Sequence, residues 1–254
     1  MAKDTKWLTA TPVAHRGLHN NKTLPENSLG AFENAVKHGY GIEFDVWRTN
    51  DGQLIVHHDP KLNRTCGKNM STKSIDTTKL DEYKLMNTEY SIPTFKQTLD
   101  LVNGQVGLVI EIKPTKLVDV TCSQIWDTLK DYKGNYCIES FDPHVVRWWA
   151  KHHPEIILGQ LCDWYLWHKV MVKSMKQHRF VDFLATSIKN LPSKYYQKIC
   201  KQYPDMIMIG WTVRTKENYD LAVNNVDNII FETNDKNPDY IGLPNLVNNF
   251  CCRK

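Results

Sequence analysis

The feature that most limits the fold of this chain is a short apolar segment that recurs with a segment of helical periodicity behind it. Such strand-like and helix-like segments in alternation predict a parallel sheet with helical crossovers. Eight units of about thirty residues fit a (β/α)₈ TIM barrel of about 250 residues. The candidate strands are Thr11–His15, Gly41–Val46, Gly107–Ile112, Tyr136–Ser140, Ile156–Leu161, Val181–Ala185, Met206–Gly210 and Asn228–Phe231, and candidate helices include Ser28–His38, Thr94–Val102, Leu117–Leu129, Pro143–His152 and Ser193–Gln202.

One apolar segment, Gln53–His57, falls outside the eightfold count. It follows an Asp-Gly pair, which is a hairpin signal between apolar runs. We therefore expect it to fold back beside the second barrel strand, and we expect a small insertion at about residues 66–90 before the next helix. No linker or low-complexity stretch divides the 254 residues, so a single domain over residues 1–254 is expected.

Composition narrows the class of protein. The chain is 41% hydrophobic with a formal net charge of +4 and has no basic run with interleaved aromatics, which argues against nucleic-acid binding. We find no signal peptide and no apolar stretch long enough to span a membrane. Seven cysteines without CxxC spacing favour reduced thiols, so a cytoplasmic location is expected. The oligomeric state does not follow from the sequence.

Two carboxylates interrupt the second candidate strand, in the segment "IEFDV". Residues two apart in a strand face the same side, so Glu43 and Asp45 point together while the apolar residues between and beside them face the helices. Glu111 and Lys113 repeat this arrangement in "IEIKP", and His15 ends the first strand. Because the carboxyl ends of barrel strands meet at one face, these side chains are expected to converge.

Three carboxylates in one pocket repel each other unless a cation lies among them. Two like charges about 4 Å apart cost about 4 kcal/mol at an effective dielectric constant near 20. A hard cation with oxygen ligands, Mg²⁺ or Ca²⁺, removes this cost and suits the donor set better than zinc does. With Arg16, Lys113 and the imidazoles of His15 and His58 close by, the expected substrate is a phosphate ester.

The segments "AHRGLHNNKTLPENSLGAF", "IEFDVWRTNDGQLIVHHDPKLNRT" and "IEIKP" resemble the glycerophosphodiester phosphodiesterase family. Its pattern is an HRG opening, a PEN(T/S) element, an ExD pair, a DGxxVxxHD segment with a following R-T, and a later E-x-K. Weaker matches are SFD at Ser140–Asp142, WTV at Trp211–Val213 and VDNIIFET at Val226–Thr233.

The resemblance implies a TIM barrel that hydrolyses glycerophosphodiesters to glycerol 3-phosphate and an alcohol. It implies Glu43, Asp45 and Glu111 as metal ligands and His15 and His58 as the acid–base pair. Further implied roles are phosphate binding by Arg16 and Lys113 and a wall of the glycerol pocket by Trp211. In this mechanism the glycerol hydroxyl of the substrate attacks phosphorus and forms a cyclic phosphate, which water then opens.

The chain departs from the family pattern at two positions. Arg214 follows the WTV element where the family often has Asn, and Glu232-Thr233 ends the last strand where the family often has Thr-Asp. Both differences concern contacts to the leaving group or glycerol.

Several residues have a structural interpretation beside the functional one. His57 is assigned to scaffolding. Lys113 could serve only to neutralise Glu111, Glu26 and Asn27 could shape the turn before the first helix, and Asp59 could orient a loop or support a histidine. The aromatic residues Trp164, Tyr165 and Trp167 are assigned to packing, with a lid or lipid contact as the alternative.

Two other functions are compatible with these residues. A lysophospholipase D-like enzyme would use the same chemistry and would need an extended apolar groove near Trp164–Trp167. A catalytically silent phosphodiester-binding barrel would require loss of a key group, yet the histidines and acids are all present.

Overall fold

A computed structural model describes residues 3–163 and 181–232 of the chain. Its nine β-strands are β1 (Val13–His15), β2 (Gly41–Arg48), β3 (Leu54–Val56), β4 (Leu108–Ile112), β5 (Tyr136–Ser140), β6 (Ile157–Cys162), β7 (Phe183–Ser187), β8 (Ile207–Val213) and β9 (Asn228–Phe231). Eight of them, all but β3, pair in parallel in the order β1-β2-β4-β5-β6-β7-β8-β9, and β9 pairs with β1. The sheet is closed, which confirms the predicted TIM barrel.

Helices of the described ranges cover the outside of the barrel. They are α1 (Lys6–Ala10), α2 (Leu29–Lys37), α3 (Asn63–Cys66), α4 (Phe95–Val102), α5 (Val118–Leu129), α6 (Pro143–His152), α7 (Lys194–Gln202) and α8 (Lys216–Val223). Side-chain caps set several of their starts. Ser28 accepts a hydrogen bond from the Ala31 amide, and Thr94 and Gln97 form a reciprocal capping box. None of these helices has the length and apolar character needed to cross a membrane.

The apolar side chains of β2 pack outward, as its alternating pattern predicts. The Phe44 ring lies between Phe32 of α2 and Phe95 of α4, with centroid distances of 5.6 and 6.0 Å. Ile42 and Val46 belong to the same buried layer between barrel and helices. Glu43 and Asp45 are therefore on the inner face of the strand.

An apolar cluster fills the barrel interior near helix α1 and extends to the wall of the interior at its other end. Its side chains are Leu8, Val13, Val109, Cys137, Ile157, Leu161, Phe183, Ala185, Ile209 and Ile230. Leu8 comes from α1, and the Asn228 side chain donates hydrogen bonds to the carbonyl oxygens of Leu8 and Thr11 at 2.6 and 2.9 Å. Helix α1 is thereby fastened beneath the strands, and the polar residues of the interior lie toward the other end.

The predicted hairpin return and insertion are present after β2. Strand β3 pairs antiparallel with the end of β2, which extends β2 to Arg48, two residues beyond the predicted end. The chain from β3 to α4 then encloses a separate small apolar core whose members are Trp47, Ile55, Leu62, Ile75, Tyr83, Leu85 and Ile92. This insertion core fixes the position of the residues that follow β3.

Candidate active site

A cavity of about 410 Å³ opens at the carboxyl end of the barrel strands. Six of the eight predicted site residues line it, and the other two, Asp45 and Lys113, lie directly behind and contact its lining residues. The predicted residues among the lining are His15, Arg16, Glu43, His58, Glu111 and Trp211. The residues singled out from distant parts of the sequence therefore share one site.

Three buried carboxylates lie at or directly behind the wall of this cavity. Asp45 of β2 is the register partner of Glu111 of β4, and Glu43 is one pleat below Asp45 on the same strand. One carboxylate oxygen from each of the three lies within 4.8 Å of one from each of the others. Such a set of hard oxygen donors fits a divalent cation of the Mg²⁺ or Ca²⁺ type.

Two cationic side chains lie against these acids. Lys113 Nζ lies 2.6 Å from Asp45 Oδ1 and 2.7 Å from Glu111 Oε1. Arg16 Nε is 3.6 Å from Asp45 Oδ2, and the Arg16 amide donates a hydrogen bond of 2.9 Å to Glu43 Oε2. All but a few per cent of the surface of Lys113 is buried, so this contact forms in a poorly solvated environment.

The turn after β1 needs its glycine for two reasons. Gly17 has a φ of +79°, which glycine adopts without strain, and a Cβ atom there would lie 2.9 Å from the backbone carbonyl carbon of Ala31. The tight turn brings the Asn27 amide to Arg16 O at 2.9 Å, and the Asn27 side chain donates to Asp45 Oδ2 at 2.7 Å. Asn27 thus both shapes the turn and holds a carboxylate of the site.

His15 is held by a residue 217 positions away in the sequence. Its Nδ1 lies 2.5 Å from Glu232 Oε1, at the end of β9. Arg214 donates to the same carboxylate from Nε at 2.6 Å and from Nη2 at 2.8 Å. The two positions at which the chain departs from the family pattern are therefore partners of each other, and together they fix the imidazole.

His58 reaches the cavity from the residues that follow β3. Its Nδ1 lies 2.7 Å from Asp59 Oδ1, and Arg64 Nε donates to Asp59 Oδ2 at 2.7 Å. Arg64 also binds both carboxylate oxygens of Glu26, at 2.6 and 2.8 Å. Asp59 and Glu26, for which two interpretations were open, both belong to this network beside His58.

His57 points away from the cavity into the insertion. It is buried, with Nδ1 2.9 Å from Asp59 O and Nε2 2.7 Å from Thr65 Oγ1. Both ring nitrogens are therefore occupied within the insertion, in line with the scaffolding interpretation of His57.

The pKa values of the three carboxyl groups are shifted in different directions. Burial, and then repulsion by Asp45 and Glu111, raises the pKa of Glu43 well above its usual range. Burial also raises the pKa of Glu111, to about 7. At Asp45, Lys113 and Arg16 outweigh the effect of burial and hold the pKa well below its ordinary value. The cluster thus contains more carboxylate groups than its two cations can keep ionised.

The pKa values of both histidines that face the cavity are lowered. Burial and the charge of Arg16 lower the pKa of His15 to about 4, although Glu232 opposes the shift. Burial lowers the pKa of His58 as well, with Lys113 and Arg16 acting in the same direction. A neutral imidazole with Nδ1 held by a carboxylate has Nε2 available for proton transfer.

Sequence reasoning missed three features of the site. Phe141 lines the cavity and packs edge-on against Trp211, with ring centroids 5.8 Å apart. Glu139 of β5 is a fourth buried carboxylate, in register with Glu111. The contact between Glu232 and His15 is the third. A signal for Glu139 existed, because it is an acid inside the apolar segment Tyr136–Ser140. Residues Trp164, Tyr165 and Trp167 lie outside the described residues.

Comparisons with known proteins agree with this arrangement. The model of the glycerophosphoryl diester phosphodiesterase family matches residues 15–236. The glycerophosphodiester phosphodiesterase of Caldanaerobacter subterraneus subsp. tengcongensis is 30% identical over 233 residues, which cover 86% of this chain and 92% of that protein.

Solved structures share the fold at lower sequence identity. A phosphodiesterase of Oleispira antarctica in complex with the product sn-glycerol-3-phosphate superposes with a TM-score of 0.76 at 19% identity, over 94% of this chain and 96% of the other. A glycerophosphodiester phosphodiesterase of Parabacteroides distasonis gives a TM-score of 0.73 at 23% identity, over 98% and 97% of the two chains. The family match spans most of the chain, so this protein belongs to the glycerophosphoryl diester phosphodiesterase family.

Proposed function

We propose that the cavity hydrolyses glycerophosphodiesters to glycerol 3-phosphate and an alcohol, with His15 and His58 as the proton-transfer groups. The observation that carries this proposal is the convergence of two carboxylate-bound imidazoles, three carboxylates and two cations on one cavity in a member of this family. The remaining predicted residues have roles consistent with it.

A divalent cation, Mg²⁺ or Ca²⁺, would be held by Glu43, Asp45 and Glu111. Their close oxygen atoms fit such a group, and burial together with repulsion among the acids raises the pKa values of Glu43 and Glu111. When bound, the cation would offset this repulsion and withdraw charge from a phosphate oxygen.

Lys113 and Arg16 are proposed to bind the phosphate. Both are held by the acids. Arg16 lines the cavity and Lys113 lies directly behind it, so together they give this region the positive charge that an anionic diester requires. The pKa of Lys113 is raised because Asp45 and Glu111 outweigh the effect of burial, so its ammonium group stays charged. Neutralisation of Glu111 is thus compatible with phosphate binding, since one ammonium group offers three donors.

The two histidines are proposed to move protons in opposite directions. One imidazole takes the proton of the substrate's glycerol hydroxyl as the hydroxyl oxygen bonds to phosphorus. The other gives a proton to the alcohol oxygen as its bond to phosphorus breaks. A cyclic phosphate results, and water opens it with the roles of the histidines reversed. Neighbouring-group attack of this kind exploits effective molarities up to about 10⁵–10⁸ M.

Trp211 and Phe141 are proposed to form the wall against which the glycerol carbons pack. They are in edge-on contact at the cavity, and Ile230 adds an apolar side chain nearby. An aromatic wall beside a charged phosphate site matches a ligand whose carbon skeleton is small and whose anionic end is fixed.

The proposal is tested by turnover of a panel of glycerophosphodiesters in EDTA, with Mg²⁺ or Ca²⁺ then restored. We expect activity to vanish in chelator, to return with a divalent cation, and to fall at least about 10²-fold in His15→Ala. His38→Ala is the matched control, because His38 lies on the exposed end of α2. Full activity in chelator would overturn the metal site, and full activity in His15→Ala would overturn the acid–base assignment.

The cyclic route has a separate test. Bis(p-nitrophenyl) phosphate has no neighbouring hydroxyl, so it should be hydrolysed far more slowly than glycerophosphocholine despite its better leaving group. Comparable rates on the two substrates would contradict intramolecular attack while leaving the hydrolase proposal intact.

A further inference from the structure

A fourth carboxylate lies in the barrel beside the three proposed cation ligands. Glu139 of β5 is the register partner of Glu111, and it lines the same cavity. Its neighbours on the strand fix its direction. Cys137 packs in the barrel interior and Ile138 packs against the helices, so Glu139 faces inward. Only 1% of its surface is exposed.

Glu139 lacks the partners that hold the other acids. Its Oε2 is buried and has no hydrogen-bond partner among the described residues. By contrast, Glu43 accepts from the Arg16 amide, Asp45 accepts from Asn27, and Lys113 lies against Glu111. A buried polar oxygen without a partner costs free energy and requires an explanation, such as an ion that binds there.

The charge balance of the site also indicates that a cation binds there. Four buried acids lie beside two cations, Lys113, which is buried, and Arg16, whose side chain is 13% exposed. The fully ionised set therefore carries two negative charges in excess, which one divalent cation balances.

We propose that Glu139 is a further carboxylate of the divalent-cation site and that it makes the site prefer Ca²⁺ over Mg²⁺. This inference rests on the proposed function. Ca²⁺ takes six to eight oxygen ligands at about 2.3–2.6 Å in flexible geometry, whereas Mg²⁺ demands a near-ideal octahedron at about 2.0–2.1 Å and keeps several waters. A fourth carboxylate beyond the close group of three supplies oxygens that the larger ion can use.

The test is calorimetric titration of the metal-free protein with CaCl₂ and with MgCl₂. Glu139→Gln keeps the shape of the side chain and removes its charge. We expect the variant to bind Ca²⁺ at least about ten-fold more weakly and to change Mg²⁺ affinity by less than about three-fold. Glu155→Gln, which removes an exposed carboxylate after α6, is the matched control and should bind both ions like the unaltered protein.

Thermal unfolding separates a ligand from a structural residue. Without added cation, Glu139→Gln should melt at a higher temperature, because one of four mutually repelling acids is gone. Its stabilisation by Ca²⁺ should be smaller than that of the unaltered protein. Glu139→Met, of similar volume and without polar atoms, should give the same two changes if Glu139→Gln proves difficult to purify.

The outcomes are distinct. Unchanged Ca²⁺ affinity in both variants, or equal losses for the two ions, would overturn the assignment of Glu139. A variant that melts at a lower temperature and keeps its calcium-induced shift would also overturn it, in favour of a structural role. If the unaltered protein bound neither ion, the proposed cation site itself would fail, which is a different result.

Discussion

The two histidines of the site are held in the same way by different parts of the molecule. In each case Nδ1 lies on a carboxylate, and an arginine binds that carboxylate through two nitrogen atoms. His15 is held by Glu232 and Arg214, at the ends of barrel strands. His58 is held by Asp59 and Arg64, which belong to the chain after β3.

The two arrangements differ in burial and in what supports them. The side chains of His15 and Glu232 are 13% and 9% exposed, whereas those of His58 and Asp59 are 35% and 22% exposed. His15 depends on closure of the barrel between β9 and β1. His58 depends on the insertion core and on the bond from Arg64 to Glu26. Equivalent chemical groups therefore rest on supports of unequal burial in this molecule.

The largest expected effect comes from removal of either imidazole. His15→Ala and His58→Ala should each lower kcat by about 10²–10⁴-fold, because a positioned acid or base contributes that much. The double variant should be little worse than the single ones if the two groups act in one concerted proton relay. Steady-state kinetics on glycerophosphocholine with a matched thermal melt measures this. A normal kcat in one variant would show that the two histidines do not contribute equivalently to proton transfer.

A smaller effect, and an unequal one, is expected from the supporting carboxylates. Glu232→Gln should lower kcat by about 100-fold, since the imidazole loses the acceptor that fixes its tautomer in a buried site. Asp59→Asn should lower kcat by only about ten-fold, because the imidazole of His58 is more exposed and water can partly replace its hydrogen bond to Asp59. A change in KM without a change in kcat would contradict a positioning role. Equal losses in the two variants would show that burial does not distinguish the two sides.

The smallest effect concerns stability on the His58 side. The bonds from Arg64 and Arg16 lower the pKa of Glu26 to about 2 against the opposing effect of burial. A lowered carboxyl pKa stabilises the folded state above pH 4.5, and this contribution is lost as the pH falls toward 2. Between pH 5 and 3.5 the unaltered protein should lose about 1 kcal/mol more unfolding free energy than Glu26→Gln does.

Urea denaturation at pH 5, 4 and 3.5 measures this difference. Glu33→Gln is a suitable control, because Glu33 on α2 is exposed, so the pH dependence of this variant's stability should match that of the unaltered protein. Parallel curves for the unaltered protein and Glu26→Gln would show that the bonds to Arg64 do not stabilise the fold.

Much of the architecture follows from the sequence because it is local. The segments Tyr136–Ser140 and Asn228–Phe231 are strands with the predicted bounds, since runs of apolar and β-branched residues favour buried parallel strands. The inward direction of Glu43 and Asp45 follows from the two-residue period of a strand. Where the observed ends of a strand differ from the predicted ones, tertiary contacts explain the difference. The predicted strand at Val181 begins at Phe183, because the Asp182 side chain instead accepts from the Leu158 amide at 2.8 Å.

The remainder of the site depends on contacts that no local pattern contains. Closure of the barrel brings Glu232 to His15, so the sequence shows Glu232 as a departure from the family pattern and does not reveal its contact with the imidazole. The link from Glu26 to Asp59 through Arg64 joins three separate segments in the same way. Glu139 differs from these residues. The sequence shows that it lies inside an apolar strand, but it does not show which residues of the adjacent strands lie beside it.

The fastening of α1 beneath the strands has a consequence for the order of events in turnover. Among the described residues, Leu8 and its apolar neighbours fill that end, so this part of the barrel opens at the carboxyl ends of its strands. The departing alcohol and the incoming water must then use the same passage in succession. On the proposed two-step route, a concentrated alcohol in the medium competes with water at that passage and is incorporated into a new diester. The enzyme would then act as a transferase under conditions in which the water supply, and not the bond cleavage, is limiting.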